Sequence, residues 1–223
     1  MTIEKGAAWG SVAMTPFDLV VAPDEAALAR AVARGARHVA LQSGDLLRAL
    51  GTPDVPVPGH PSLHLPCDVI VVRLDDGDPV TAVGNVLIGS VLRPRAWVTT
   101  GGFVGRLNAA PRAHPNDGMV DALEFVGDVS LRQLLAIRRK MRVGDHLPHP
   151  ALRIHRDTTY EWTSSGAKTS SLGTAGGRRR TVTIDGRRHG RARSVRVTVT
   201  PDAFVLCIAT NQASLMSAQP TSA

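Results

Sequence analysis

A tight turn that leads directly into an alternating strand is the feature that most constrains the fold of this chain. Pro115, Asn116, Asp117 and Gly118 form the turn sequence, in which Asn and Asp bond their own backbone and Gly accepts a positive φ. Residues 119–126, MVDALEFV, are apolar except for two acids. This pattern predicts a strand with one face mostly buried. The chain is therefore expected to build a sheet around this corner.

Composition and charge bound the class of protein. The 223 residues are 43% hydrophobic and 20% charged, which is enough for a globular core in one large or two small domains. The net charge of +7 favours anionic partners such as lipid headgroups, nucleic acid or phosphorylated small molecules. The late arginines are not interleaved with aromatic residues and no nucleic-acid-binding motif occurs, so we do not expect nucleic acid as the partner.

The ends of the chain and its apolar stretches bear on its compartment. The first ten residues lack a basic start followed by an apolar run, so no signal peptide is predicted. No apolar stretch approaches the length that spans a bilayer. Cys67 and Cys207 lie in apolar runs without metal-ligand spacing, which predicts buried free thiols. We therefore expect a cytoplasmic protein.

The N-terminal third predicts a small α/β lobe. Strands are expected at residues 17–22 and 38–41, and helices from Pro23 to Gly35 and over residues 45–50. Residues 51–66, GTPDVPVPGHPSLHLP, form a Pro-rich connector that is predicted to contain neither a helix nor a central strand. Residues 1–65 are thus interpreted as one reduced α/β lobe with its connector.

Residues 66–210 predict a mainly antiparallel, β-sandwich-like domain, which makes the fold class α+β. A hairpin is expected over residues 68–88, paired strands at 152–162 and 180–185, and a last hairpin over 195–208 that turns at 201–203. One helix over residues 130–141 begins with a capping box at Ser130 and Gln133 and packs on the sheet through Leu131, Leu134, Leu135 and Ile137. Residues 163–177 are interpreted as a flexible insertion and 211–223 as a flexible tail.

Several short motifs in order resemble the C-terminal half of the bacterial diacylglycerol-kinase-like lipid kinases, which are relatives of the NAD kinases. The segment from Ala110 to Asp121 is similar to that family's AP-x-A … DG-x-x-D pattern. Residues 144–150, GDHLPHP, resemble its G-x-H-x-x-H-P loop, and residues 182–186, VTIDG, resemble its V-D-G strand end. The resemblance covers about residues 66–208, and it implies a lipid kinase with two lobes.

The resemblance implies roles for two acids. Asp185 matches the general base that takes the proton from a lipid hydroxyl, although Arg187 stands where the family has Glu. Asp117 matches the ligand of a structural magnesium ion, together with the backbone carbonyls of His114 and Met119. In the alternative interpretation, Asp117 caps its own turn and Asp185 is the tip of a hairpin.

Residues 41–50, LQSGDLLRAL, resemble the strand–GGDGT–helix phosphate loop of the same superfamily. Ser43, Gly44 and Asp45 would then bind the phosphates of ATP at the start of a helix. Gln42 and Ser43 replace the expected glycines, and the register of the match is ambiguous. As a plain alternative, Ser43 or Asp45 is a helix N-cap. The lobe is also about half the expected size, which argues against normal ATP binding.

Two functions remain open at this point. The first is Mg²⁺- and ATP-dependent phosphorylation of a lipid hydroxyl. The second is a catalytically inactive relative that binds lipid, another anionic small molecule or a partner protein. Beside the lipid-kinase resemblance, the arginines after residue 177 predict a basic rim for peripheral contact with anionic membrane. Association with further copies of the chain also stays open.

Overall fold

The N-terminal part of the chain alternates strands and helices. The computed structural model describes residues 9–51, 53–164 and 177–210. The order predicted for residues 17–50 is confirmed, and one strand precedes it. The elements are β1 (Ser11–Met14), β2 (Val20–Ala22), α1 (Glu25–Ala33), β3 (His38–Leu41) and α2 (Asp45–Ala49).

The remainder is mostly strand, so the predicted α+β class is confirmed. The strands are mainly antiparallel. The elements are β4 (Pro61–Leu74), β5 (Val80–Ala82), β6 (Asn85–Ser90), β7 (Arg93–Thr99), β8 (Phe103–Val104), β9 (Leu107–Asn108), β10 (Val120–Phe125), α3 (Leu131–Met141), β11 (Leu152–Asp157), β12 (Thr159–Thr163), β13 (Arg180–Ile184), β14 (Arg187–Ala192) and β15 (Ser194–Ala209).

Two sheets pack face to face, as the sandwich prediction requires. The first has the order β1-β4-β15-β3-β2, with β5 on β4 and β12 on β15, and the second has the order β11-β10-β7-β6-β13-β14. Alternate residues of both sheets fill the space between them, because side chains on a strand point to opposite faces in turn. This core includes Ile70, Val72 and Val197 on one side and Val86, Val98 and Val182 on the other.

Helix α3 covers the outer face of the second sheet. The capping box predicted at Ser130 and Gln133 is present. Leu134, Ile137 and Met141 are buried against Trp97, Leu123 and Phe125. The predicted apolar face was too wide, since Leu131 and Leu135 are exposed. Their positions, four residues apart, put them on one side of the helix, away from the sheet.

The small lobe continues the first sheet rather than standing apart from it. Strand β3 pairs in parallel with β15 through Val205 and Leu206. A second core beneath α1 and α2 includes Leu28, Leu41, Leu46, Leu65 and Phe204. The long strands β4 and β15 therefore carry both the sandwich and the lobe.

The connector prediction was wrong for residues 61–66, which begin β4. This strand is central, between β1 and β15. Pro61 is its first residue, where a proline is tolerated. The carbonyl of Pro66 accepts a hydrogen bond from Trp9 Nε1 at 2.9 Å. The nitrogen and oxygen of one strand residue point to the same side of the strand. The nitrogen of Pro66 therefore faces Trp9, beyond the end of β1. Its missing N–H thus costs no hydrogen bond to β15.

The predicted last hairpin is instead one continuous strand. Both halves of β15 pair with β4, and the register shifts between Thr200 and Phe204. Asp202 has φ of 51°, and its amide donates to Asp68 Oδ1 at 3.0 Å. A turn signal at residues 201–203 thus becomes a bulge, because a carboxylate on the neighbouring strand holds the extra residues.

Two further strand predictions were wrong in their pairing. Residues 152–163 divide at Thr158, so that β11 pairs with β10 while β12 pairs with β15, and neither pairs with β13. Residues 80–90 also divide, with β5 in the first sheet and β6 in the second. The predicted insertion falls mainly on residues 165–176, and the predicted tail on residues 211–223, both outside the described residues. Among the described residues, no helix is long and apolar enough to span a membrane.

Candidate functional site

A cleft of about 660 Å³ lies where α1 and α2 face the start of β6 and the turn between β13 and β14. The predicted Ser43, Gly44, Asp45 and Asp185 all line it. Residues from the two ends of the sequence therefore meet in one place. The cleft also contains residues that the sequence did not assign to a site, among them Glu25 and Asn85.

Asp185 is a structural anchor in this cleft. It occupies the first position of an Asp-Gly turn, with φ of 45° followed by 74° at Gly186, and these values suit a type I′ hairpin. Its Oδ2 accepts the amide of Val83 at 2.9 Å, and its Oδ1 accepts the amides of Gly84 and Asn85 at 2.9 and 3.0 Å. The carboxylate thus holds the chain where it passes from one sheet to the other.

Burial dominates the titration of Asp185. The residue is 7% exposed, and desolvation raises its pKa above the ordinary value even though the three amides oppose the shift. A general base needs a lone pair aimed at the substrate. Here both carboxylate oxygens already accept backbone hydrogen bonds.

Glu25 occupies the place that the predicted phosphate loop would give to a phosphate. Its Oε1 accepts the amide of Leu46, in the first turn of α2, at 2.7 Å. A side chain at Gly44 would come within 2.9 Å of the Glu25 carboxyl group, so this glycine serves close packing. Ser43 donates its hydroxyl to the carbonyl of Pro23 at 2.7 Å. The N-cap of α2 is Gly44, so neither Ser43 nor Asp45 has the capping role suggested as the alternative.

Glu25 is an acid whose pKa the cleft raises well above its ordinary value. Burial raises its pKa to about 8, the amide of Leu46 opposes the shift, and the charges of Asp185 and Asp45 add to it. A carboxyl group with this pKa is largely protonated at neutral pH. The sequence signal was misleading, because an acid in the first turn of a helix is normally solvated.

Asp45 links the two sides of the cleft. Its Oδ2 accepts Asn85 Nδ2 at 2.9 Å and the amide of Gly105 at 2.8 Å. Burial raises its pKa, while the amide of Gly105 and the charge of Arg48 oppose the rise. Helix α2 is thereby tied to β6 and to the turn between β8 and β9.

Arg187, which replaces the glutamate of the resembled motif, also faces the cleft. Its Nη2 pairs with Asp24 Oδ2 at 3.0 Å. Both partners are substantially exposed, so the ion pair adds little stability. Two buried carboxyl groups, the half-buried Asp45 and one neutralised arginine suit hydrogen-bond donors such as hydroxyls better than phosphates.

The predicted magnesium residues lie in the loop before β10, and they do not fit a metal ion. Asp117 Oδ1 accepts the amide of Met119 at 3.0 Å, and Oδ2 accepts Arg156 Nη2 at 2.5 Å. The ring of His114 accepts the amide of Asn116 at 3.2 Å. The guanidinium of Arg156 therefore already neutralises the carboxylate charge that Asp117 would offer to Mg²⁺.

Asp68 is the acid that organises this loop, and sequence reasoning missed it. Its Oδ2 accepts the amide of Gly118 at 2.8 Å, and its Oδ1 lies 3.3 Å from Asn116 Nδ2. Its own amide donates to the carbonyl of Pro115 at 2.8 Å. Burial raises its pKa to about 6. The turn that constrains the sequence is thus held by a strand residue fifty positions earlier.

The fold that surrounds this cleft is similar to that of solved bacterial diacylglycerol kinases. The crystal structure of a diacylglycerol kinase from Bacillus anthracis matches with a TM-score of 0.54 and 13% identity, over 87% of this chain and 77% of that one. A second structure from the same organism, described as a candidate diacylglycerol kinase, matches with a TM-score of 0.53 and 13% identity, over 88% and 79%. No family model and no curated protein matches the sequence.

Proposed function

We propose that the cleft binds a lipid alcohol and does not transfer phosphate to it, so that the chain is a non-catalytic relative of lipid kinases. The observation that carries this proposal is the use of the cleft's acids within the protein. Asp185 accepts three backbone amides, and Glu25 accepts the amide of Leu46. The acid that would serve as base holds the chain between the two sheets, and the amide of α2 that would face a phosphate is already bonded to Glu25.

The lipid part of the proposal rests on an apolar groove beside the cleft. A second cavity of about 490 Å³ shares Leu87 and Val104 with it and extends over Trp97 and Leu107 on the outer face of the second sheet. An acyl chain would bury apolar surface in this groove, and burial of each methylene group contributes about 0.8 kcal/mol to binding. The hydroxyl end would then reach the cleft beside Asp45, whose carboxyl group can accept a further hydrogen bond.

Tryptophan fluorescence tests lipid binding. The chain has three tryptophans, and Trp97 alone of them lines the groove. A brominated diacylglycerol in detergent micelles is expected to quench wild type and the Trp9→Phe/Trp162→Phe variant. It is expected to leave Trp97→Phe unquenched, and quenching of all three proteins to the same extent would contradict the proposal.

A second candidate function is phosphoryl transfer from ATP to the lipid hydroxyl, with Asp185 as the base. The convergence of Ser43, Asp45 and Asp185 on one cleft favours it. Incubation with radiolabelled ATP, Mg²⁺ and diacylglycerol separates the two functions. We expect no labelled lipid from wild type. Labelling by wild type that Asp185→Asn abolishes would establish the second function instead.

A further inference from the structure

A basic pocket lies at the opposite end of β6 and β13 from the cleft. It has a volume of about 710 Å³ and is lined by Arg93, Arg95, Arg178 and Arg180, with Asp128 as its one carboxylate. The cleft and this pocket are separated by the length of β6, about 17 Å for five residue steps. The arginines come from β7, β13 and the segment before β13, so the fold brings together charges that are far apart in the sequence.

The positive charge of the basic pocket is largely uncompensated. Arg95 donates to the carbonyl of Gly127 at 3.1 Å and to Asp128 Oδ1 at 3.3 Å. Within residues 9–51, 53–164 and 177–210, the other three arginines form no ion pair with a carboxylate. Burial lowers the pKa of Arg180, and the charges of Arg95 and Arg178 lower it further. Such crowding of like charges favours an anion between them.

Exposed apolar side chains border the same pocket. Leu92 at the tip between β6 and β7 and Leu131 on α3 both line it. Arg138 on α3 donates to the carbonyl of Val91 at 2.5 Å, so the tip and the helix are adjacent. Val91 precedes Leu92 in the chain, and Leu135 lies one helical turn after Leu131. These four side chains, here called the apolar rim, are more than half exposed: Val91 at 69%, Leu92 at 62%, Leu131 at 56% and Leu135 at 58%.

We propose that the basic pocket and the apolar rim form a surface that docks on an anionic phospholipid bilayer, with a lipid phosphate in the pocket. Each arginine beside anionic headgroups strengthens membrane partition roughly fivefold. The rim side chains gain further by leaving water for the acyl boundary. The rim contains no aromatic platform on which bases could stack, and this favours a membrane over nucleic acid.

The proposal does not depend on what the cleft binds. Docking in this way would place the groove beside Trp97 between the membrane and the cleft. The test therefore uses vesicles that contain no lipid alcohol, so that failure of docking and failure of the proposed function are distinguishable. The probes are vesicles of phosphatidylcholine alone and vesicles of phosphatidylcholine mixed with phosphatidylserine.

Cosedimentation with these vesicles measures the partition of the full chain. We expect binding to the mixed vesicles only, weakened by added salt. Arg93→Ser/Arg178→Ser should reduce the partition coefficient roughly thirtyfold, and Leu92→Ser/Leu131→Ser roughly tenfold. All four residues are largely exposed, so these variants should remain folded.

Matched controls remove the same groups elsewhere. Arg30→Ser/Arg34→Ser deletes two exposed positive charges, one in α1 and one at its C-cap, and Phe17→Ser deletes an exposed apolar side chain. Both should bind the mixed vesicles as wild type does. Equal loss in the controls, equal binding to phosphatidylcholine alone, or unchanged binding by both rim and pocket variants would overturn the proposal. Binding of soluble polyglutamate without binding of mixed vesicles would overturn it in favour of an acidic protein partner.

Discussion

The two ends of strands β6 and β13 use charge in opposite ways. At the cleft end, Glu25, Asp45 and Asp185 accept backbone or side-chain hydrogen bonds from the protein itself. At the basic end, three of the four arginines of the pocket have no carboxylate partner in the described chain. Charges that are already bonded internally stabilise the fold, whereas charges without partners are available to a ligand. The comparison assigns a structural role to the cleft's acids and the recognition of anions to the basic pocket.

The variant Asp185→Ala has the largest expected effect on stability and tests the structural role of the cleft's acids. Removal of the carboxylate leaves three buried amides without their acceptor, so the free energy of unfolding should fall by about 4 kcal/mol. Urea unfolding of the two proteins gives this difference. The matched control is Asp128→Ala in the basic pocket, where the carboxylate is almost fully exposed and a loss below about 0.5 kcal/mol is expected. Similar losses for both variants would remove the distinction between the ends.

The pH dependence of stability tests Glu25. Its pKa is raised to about 8 in the folded state, so the folded protein holds a proton that the unfolded chain releases near its lower, ordinary value. Stability should therefore be greatest below the unfolded pKa and should fall as the pH rises to about 8.

The variant Glu25→Gln isolates this contribution, because an amide can still accept from Leu46 but does not titrate. Between about pH 5 and pH 8, wild type should lose on the order of 3 kcal/mol more than the variant. Unfolding curves at the two pH values measure the difference. If wild type and Glu25→Gln kept parallel pH profiles, the carboxyl group would not be protonated in the cleft.

Metal removal tests the third charged cluster, where Arg156 pairs with Asp117. We expect a chelator to leave the melting temperature of wild type unchanged, because the carboxylate already has a cationic partner. Arg156→Ala should lower the free energy of unfolding by about 1 kcal/mol, a modest value since the arginine is partly exposed. If added Mg²⁺ raised the melting temperature of wild type but not that of Asp117→Asn, Asp117 would bind magnesium as the sequence predicts.

The smallest expected effect on stability belongs to the basic pocket. Arg93→Ser/Arg178→Ser removes two like charges that have no carboxylate partner in the described chain, so its free energy of unfolding should lie within about 0.5 kcal/mol of wild type. Chemical unfolding without lipid provides the value. A large loss would mean that these arginines hold the fold, and the contrast with the cleft would then disappear.

Local features of the fold could be predicted from the sequence because their causes are local. The capping box at Ser130 and the stop at Gly35 depend on neighbours a few residues away. The path of β15 could not be predicted, because residues 201–203 carry a genuine turn signal. Asp68, 134 positions earlier, turns that signal into a bulge.

In the candidate site, the location of the residues could be predicted from the sequence, but their roles could not. The residues that meet in the cleft were predicted by their resemblance to known motifs, since Ser43, Gly44, Asp45 and Asp185 all line it. What each residue does there depends on tertiary packing. Glu25 is buried only because Gly84 and Gly44 leave room for its carboxyl group, and no local pattern reveals that contact.

Calorimetric titration of the purified chain with ATP and Mg²⁺ tests the central claim most directly. The account predicts no saturable heat of binding, because Glu25 holds the amide of Leu46 and the cleft's acids oppose phosphates. Thermal unfolding of the same sample shows whether the chain is folded. Saturable binding with micromolar affinity, lost in Asp45→Asn, would contradict the account and would show that the cleft still accepts a nucleotide.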